Sequence, residues 1–348
     1  MVLIYGFTKV NSFENLDLKP KTKFSIIVPF RNEAENLPHL LESLSKLNYP
    51  NDFFEVILVD DASDCRLQIA DCRLQISIID NIRVSNSPKK DAISTAIKVV
   101  NNDWIITTDA DCVVNENWLS ILDNYIQLHK VSMIAGAVTY DCEDSFLHHF
   151  QQLDLASLQG ATIGSFGLGK GFMCNGANFA YTKSLFQNLN GFDGNDKIAS
   201  GDDVFLLQKA IASFPEKVHY LKSKNNIVIT KPLDNWKSLF YQRVRWASKT
   251  GSYQSRFGIG LGLIVFGGNV GLLFVICSLL FGIGNFYLLI FLLLAKFSVD
   301  LILIHKTNAF LKNKTQFFLT SCLLYPFFSL SVALHSLFGK YEWKGRKF

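Results

Sequence analysis

The sequence predicts an α/β domain built on a mainly parallel sheet, followed by transmembrane helices towards its C-terminal end. Three observations predict it. Apolar, β-rich runs alternate with helical patterns through the first half of the chain, polar residues stand at the carboxyl ends of those runs, and residues 257–295 contain no charged residue. A chain of 348 residues is long enough to bury a sizeable core.

Residues 1–7 are apolar but short, with no basic leader or cleavage site, and predict a packing or membrane-surface segment rather than a signal peptide. Residues 24–29, 54–60, 77–83 and 104–109 read as strands buried on both faces. Leu37, Leu40, Leu41, Leu44 and Leu47 follow the first strand at helical spacing, and Ala92, Ile93, Ala96, Ile97 and Val100 precede the fourth. This alternation implies helices on both faces of the sheet. Ligands bind such sheets beyond the carboxyl ends of the strands, where Arg31, Asn32 and Glu33, then Asp60 and Asp61, then Asp109 and Asp111 stand here. Residues 64–69 (DCRLQI) recur as 71–76, which reads as a lengthened connection without a functional role. Residues 133–138 add a further strand. Residues 160–176 then look irregular and glycine-rich, which predicts a flexible backbone and an acceptor-binding region.

Residues 234–250 predict an amphipathic helix. Trp236, Leu239, Phe240, Val244 and Ala247 share one face, and Gln242, Arg245, Trp246 and Lys249 another. The uncharged 39-residue run is too long for one membrane span and long enough for two. Apolar stretches at 257–280, 283–304 and 316–338 give two to three spans. Lys296 and Asp300, four apart, can pair on one helix face, and Pro326 interrupts the last stretch. Two spans would return the chain to a lysine-bearing loop, 306–314, which agrees with the positive-inside rule for a cytosolic first half; a third full span would place the basic tail 340–347 outside, which the same rule disfavours. The net charge of +4 is small and its bases are dispersed, so nucleic acid is a poor candidate partner. Seven cysteines show no zinc or disulfide spacing, and the adjacent His148 and His149 read as helix surface.

The chemistry lies in the carboxylates. Asp109 and Asp111, two residues apart after a buried strand, can turn towards one ligand; a hard cation held by them would neutralise a departing diphosphate. Asp60 and Asp61 repeat the pattern at an earlier strand end and could accept hydrogen bonds from a base or ribose. Lys89 and Lys90 precede a helix, near enough in sequence to meet a phosphate. Ser200 reads as an N-cap with Asp203 three residues on, and a carboxylate of the Asp202–Asp203 pair could take a proton from an attacking hydroxyl. Arg245 and Trp246 offer a cation for a pyrophosphate and a flat face for a sugar or base.

SIIVPFRNEAENL from Ser25, VDDAS from Val59, KKDA from Lys89, TDAD from Thr108, CNGANFAY from Cys174, GDD from Gly201 and QRVRW from Gln242 stand in this order. Over about residues 24–250 the chain resembles the family 2 glycosyltransferases, the inverting GT-A enzymes that include polysaccharide synthases and ceramide glucosyltransferases. The resemblance implies a Rossmann-like GT-A domain over 1–233, an interfacial helix over 234–252 carrying QxxRW, and a transmembrane region over 253–348. It implies that Pro29, Glu33 and Asp60 line the nucleoside pocket and that Lys90 lies near the donor. Asp109 and Asp111 would hold the donor and a divalent metal, Mg2+ or Mn2+. Asp203 would be the general base, with Asp202 standing where glutamate is commoner, and Cys174, Asn175 and Gly176 would border the acceptor. Gln242, Arg245 and Trp246 would bind the donor diphosphate.

The implied activity is transfer of a hexose or N-acetylhexosamine from a nucleotide sugar, usually UDP-linked, to a lipid or lipid-linked glycan. The expected place is the cell's inner membrane, multi-pass, with the catalytic domain cytosolic. A processive polysaccharide synthase and an inactive nucleotide-binding membrane scaffold are the alternatives. Membrane helices ahead of the catalytic domain, which many polymerising relatives have, do not precede it in this sequence, which favours single transfer; the intact acidic pairs speak against the scaffold.

Overall fold

The computed structural model describes residues 1–64, 74–195 and 200–337, with the backbone of 338, 342–343 and 346–347. The repeated DCRLQI segments and the basic tail fall largely outside the described residues. Two compact units form. One comprises Val10–Asp141 and Gly171–Lys231, the other Met1–Lys9, Cys142–Lys170 and Pro232–Phe348. The division differs from a single cut at residue 233, because residues 1–9 and 142–170 group with the C-terminal helices.

In chain order the elements begin with α1 (Val2–Lys9), β1 (Phe24–Phe30), α2 (Leu37–Ser45), β2 (Phe54–Asp60), β3 (Ile76–Asp80), α3 (Pro88–Ile97) and β4 (Trp104–Thr107). There follow β5 (Cys112–Val113), α4 (Trp118–Leu128), β6 (Met133–Gly136), β7 (Val138–Tyr140), α5 (Phe146–Gly167), β8 (Phe179–Thr182) and α6 (Lys183–Asn188). The chain continues through α7 (Asp202–Ser213), β9 (Val218–Leu221), β10 (Val228–Thr230), α8 (Trp236–Ser248), α9 (Arg256–Phe281), α10 (Phe286–Leu311) and α11 (Phe318–Phe338).

The first unit holds a seven-stranded sheet in the order β3-β2-β1-β4-β8-β6-β9. All neighbours run parallel except β8, which is antiparallel to β4 and β6. The apolar runs of β1 and β2 bury every residue but Pro29 and Asp60, as strands covered on both faces must. Ile26, Val28 and Leu58 meet Leu37, Leu40 and Leu44 of α2 in one core, each leucine worth about 1.5–3 kcal/mol of burial. Register aligns Phe30, Asp60 and Asp80 across three strand ends.

Two strand readings change. The third strand is the sheet edge, not a strand buried on both faces, and Ile78 is 47% exposed there. The strand read at 133–138 is two, because the chain leaves the large sheet after Gly136 and β7 pairs with β10 in a three-stranded sheet, β5-β10-β7. Asn178 holds this crossing: its amide donates to the carbonyls of Ala137 and Asn226, and a Cβ on Gly136 would lie 2.4 Å from it.

The second unit is helical. The glycine-rich run read as flexible backbone from 160 is, to Gly167, the end of the 22-residue α5. Its glycines serve close helix packing: a Cβ on Gly164 would lie 2.5 Å from the Leu3 carbonyl, and one on Gly160 would lie 2.5 Å from the Thr307 hydroxyl. The apolar N-terminus is thus a packing segment, α1 against α5. The amphipathic helix forms as α8, opened by the Asn235 side chain accepting from Ser238 N–H, with Leu239 and Val244 buried. Three helices, α9, α10 and residues Phe318–Leu337, are long and apolar enough to cross a membrane. Lys296 and Asp300 pair on α10 as their spacing predicts.

Candidate active site

The sheet unit gathers its chemistry at the carboxyl ends of β2 and β4. After β4 the chain turns through Thr108 and Asp109 into the short β5, leaving Asp109 and Asp111 half-buried. Lys89, in the first turn of α3, reaches across to Asp109 and Asp202: its Nζ lies 2.5 Å from Asp109 Oδ1 and 3.6 Å from Asp202 Oδ2. Burial pulls the ammonium down, but Asp109, Asp202 and Asp203 together outweigh it and hold Lys89 above the usual lysine value. The Cys112 thiol beside them is pushed well above its ordinary value by burial, then by Asp111 and Asp109.

Asp202 and Asp203 open α7. The N-cap is Gly201 at φ 82°, not Ser200, and no side-chain capping bond forms; a left-handed residue is needed there, and glycine supplies it without strain. The first turn therefore presents both carboxylates at the positive end of the helix. Asp203 Oδ2 accepts the Gly176 N–H at 2.9 Å, and Oδ1 accepts that of Val204 at 2.7 Å. Gly176 is itself held by Thr107, whose hydroxyl donates to the Gly176 carbonyl at 2.8 Å. A Cβ on Gly176 would lie 3.1 Å from Asp202 Oδ2 and 3.3 Å from Lys89 Nζ, so the site closes around this glycine. Neighbouring Cys174 is buried, and Asn175 turns its Oδ1 back to the Ala177 N–H.

The residues expected at the nucleoside occupy the adjoining strand ends. Pro29 is half-buried, Asp60 Oδ1 accepts from the N–H and hydroxyl of Ser63, and Glu33 accepts from the Asn36 amide. Buried Asp61 accepts from Asn81 at 2.7 Å and from Arg83 at 3.4 Å. Arg83 was not anticipated.

Lys90, expected near the donor, turns into the core: its Nζ donates to the Asn195 carbonyl at 2.6 Å and stands 5.2 Å from the Phe205 ring centroid. Lys89 is the lysine at the carboxylates. Both lie in the first turn of one helix, and only the seating of that helix on the sheet selects between them.

Gln242, Arg245 and Trp246 lie half-buried on α8 of the helical unit. Between them, buried Arg243 pairs with Asp154 of α5 at 2.5 Å. No local pattern points to that partner, 89 residues away.

Residues 25–189 match the family described as Glycosyl transferase family 2. Over 116 residues the chain is 32% identical to poly(ribitol-phosphate) beta-N-acetylglucosaminyltransferase TarS of Staphylococcus aureus, covering 32% of this chain and 20% of that protein. Over 95 residues it is 37% identical to undecaprenyl-phosphate 4-deoxy-4-formamido-L-arabinose transferase of Photorhabdus laumondii, covering 26% of this chain and 29% of the relative. The chain thus spans less than a third of the length of either curated relative. Among solved structures, mannosyltransferase PcManGT from Pyrobaculum calidifontis, in complex with GDP-Man and Mn2+, shares the fold. It superimposes at a TM-score of 0.57 with 15% identity, covering 97% of this chain and 94% of its own. Over residues 25–189 the chain is thus similar to glycosyl transferase family 2.

Proposed function

We propose that the chain is a membrane-associated, inverting glycosyltransferase that moves a hexose or N-acetylhexosamine from a nucleotide sugar, UDP-linked, to a lipid or lipid-linked glycan. The observation that carries this reading is the cluster of Lys89, Asp109, Asp202 and Asp203 around Gly176, beyond the strand ends of a family 2 domain. Three apolar helices and a relative named for undecaprenyl-phosphate support the lipid acceptor and a multi-pass place in the cell membrane, with the sheet unit cytosolic.

The donor set fits a divalent cation. Among the described residues no three His, Cys, Asp or Glu side chains form a metal-holding group, but two carboxylates suffice where phosphate oxygens complete the shell. The Lys89 ammonium already stands against Asp109, a place the carboxylates make favourable to positive charge. Asp109 and Asp111 would hold Mg2+ or Mn2+, which when bound would neutralise charge on the departing diphosphate. Lys89 adds a second, permanent cation beside that charge. Asp60 and Asp61 receive the ribose or base, with Pro29 and Glu33 beside them. Asp203, oriented by the Gly176 and Val204 N–H groups, takes the proton of the acceptor hydroxyl as that oxygen attacks the anomeric carbon. Asp202 balances Lys89, and Cys174, Asn175 and Gly176 border the acceptor. Gln242, Arg245 and Trp246 keep the diphosphate and sugar roles that the resemblance assigns them.

The test is a screen of UDP-glucose, UDP-GlcNAc, UDP-galactose and GDP-mannose with purified full chain and extracted membrane lipids. One sugar added to a lipid is expected. A product ladder would replace single transfer by a processive synthase, and no turnover of any donor would leave the scaffold reading.

A further inference from the structure

The QRVRW segment contains an arginine to which no role has been given. Arg243 is 6% exposed, and its Nε donates to Asp154 Oδ2 at 2.5 Å. The other oxygen of that carboxylate accepts the Tyr325 hydroxyl at 3.0 Å, so α5 and α11 fix the guanidinium from outside α8. Two further contacts leave the same guanidinium. Nη1 donates to Gln242 Oε1, and Cζ stands 4.2 Å from the centroid of the Trp246 ring.

We propose that Arg243 is a positioning residue: pinned by Asp154 and Tyr325, it sets the Gln242 amide and the Trp246 ring for donor binding. The proposal rests on the glycosyltransferase reading above. Because the Gln242 carbonyl accepts from Arg243, its amide N–H groups are the part left to donate, the polarity that an acceptor-rich ligand such as a diphosphate or sugar hydroxyl requires. The ring, stacked on a planar cation, is held in one orientation. Lysine could keep the charge beside Asp154 but has no fork with which to hold both neighbours.

The experiment compares parent, Arg243→Lys and the double variant Asp154→Leu/Arg243→Met, all as full chains in the same detergent. The double variant replaces a buried ion pair by apolar groups, an exchange that is commonly neutral for folding. Thermal midpoint, donor KM, kcat and tryptophan emission are measured, with Trp246→Phe identifying the Trp246 component. We expect at least one folded variant whose donor KM rises on the order of tenfold with a smaller change in kcat, and whose Trp246 emission shifts. Parental KM and an unshifted Trp246 component in folded variants would overturn the proposal. Unfolding of both variants would also overturn it, by reducing Arg243 to a structural role. If the parent turns over no nucleotide sugar, the underlying reading fails instead, while the emission comparison still decides whether Arg243 sets the ring.

Discussion

Lys89 Nζ lies 2.5 Å from Asp109 Oδ1, so the acidic turn after β4 carries its own counter-cation. Replacing Lys89 by alanine removes a fixed positive charge from the place where diphosphate charge develops. Donor kcat/KM should fall on the order of 10²-fold, and Lys89→Arg should restore part of it. Steady-state kinetics at saturating acceptor check this; an alanine variant with parental kcat/KM removes Lys89 from the site.

A side chain on Gly176 would crowd Asp202 and Lys89, at 3.1 and 3.3 Å from its Cβ. Gly176→Ala should lower transfer by displacing these groups, while the thermal midpoint moves little because the crowding atoms are side-chain ends. Equal losses of stability and activity would show that the glycine serves the fold.

Helix packing makes a separate prediction. A Cβ on Gly164 would meet the Leu3 backbone at 2.5 Å, whereas one on Gly260 of α9 would meet nothing within 4 Å. Gly164→Ala should destabilise the solubilised chain by about 1–3 kcal/mol. Gly260→Ala should be neutral or gain about 0.5–1 kcal/mol. Thermal unfolding of the pair in one detergent distinguishes them, and equal shifts would contradict the packing of α1 on α5.

His219 predicts a pH dependence. Its Nε2 donates to the Glu216 carbonyl at 3.2 Å, and its Nδ1 lies 2.9 Å from the Tyr125 hydroxyl. Burial, with a smaller contribution from His129, holds its pKa below the ordinary imidazole value despite the Glu216 carbonyl. As pH falls through about 6.5 the unfolded chain takes up this proton first, so stability declines there and levels off below the folded pKa. The parent should lose more stability than His219→Gln between about pH 7.5 and 5.5. Parallel profiles would contradict it.

Much of this was legible in advance because the signals are local. The buried runs of β1, β2 and β4, the stripe of α2 and the turn acids Asp109 and Asp111 follow from hydrophobic pattern and from where polar residues interrupt it. What was missed depends on tertiary placement. The glycines of α5 look the same whether they free a backbone or admit a neighbouring helix, and only Leu3 and Thr307 decide. Lys89 and Lys90 are adjacent and chemically identical until α3 is seated. Arg243 and Asp154 find each other across 89 residues.

Asp203→Asn decides whether the carboxylates around Gly176 perform glycosyl transfer with Asp203 as base. Transfer to acceptor and binding of UDP are measured on the same preparation with Mn2+ present. UDP binding is expected near the parental level, with transfer reduced on the order of 10³-fold. An asparagine variant that transfers sugar at the parental rate would contradict it.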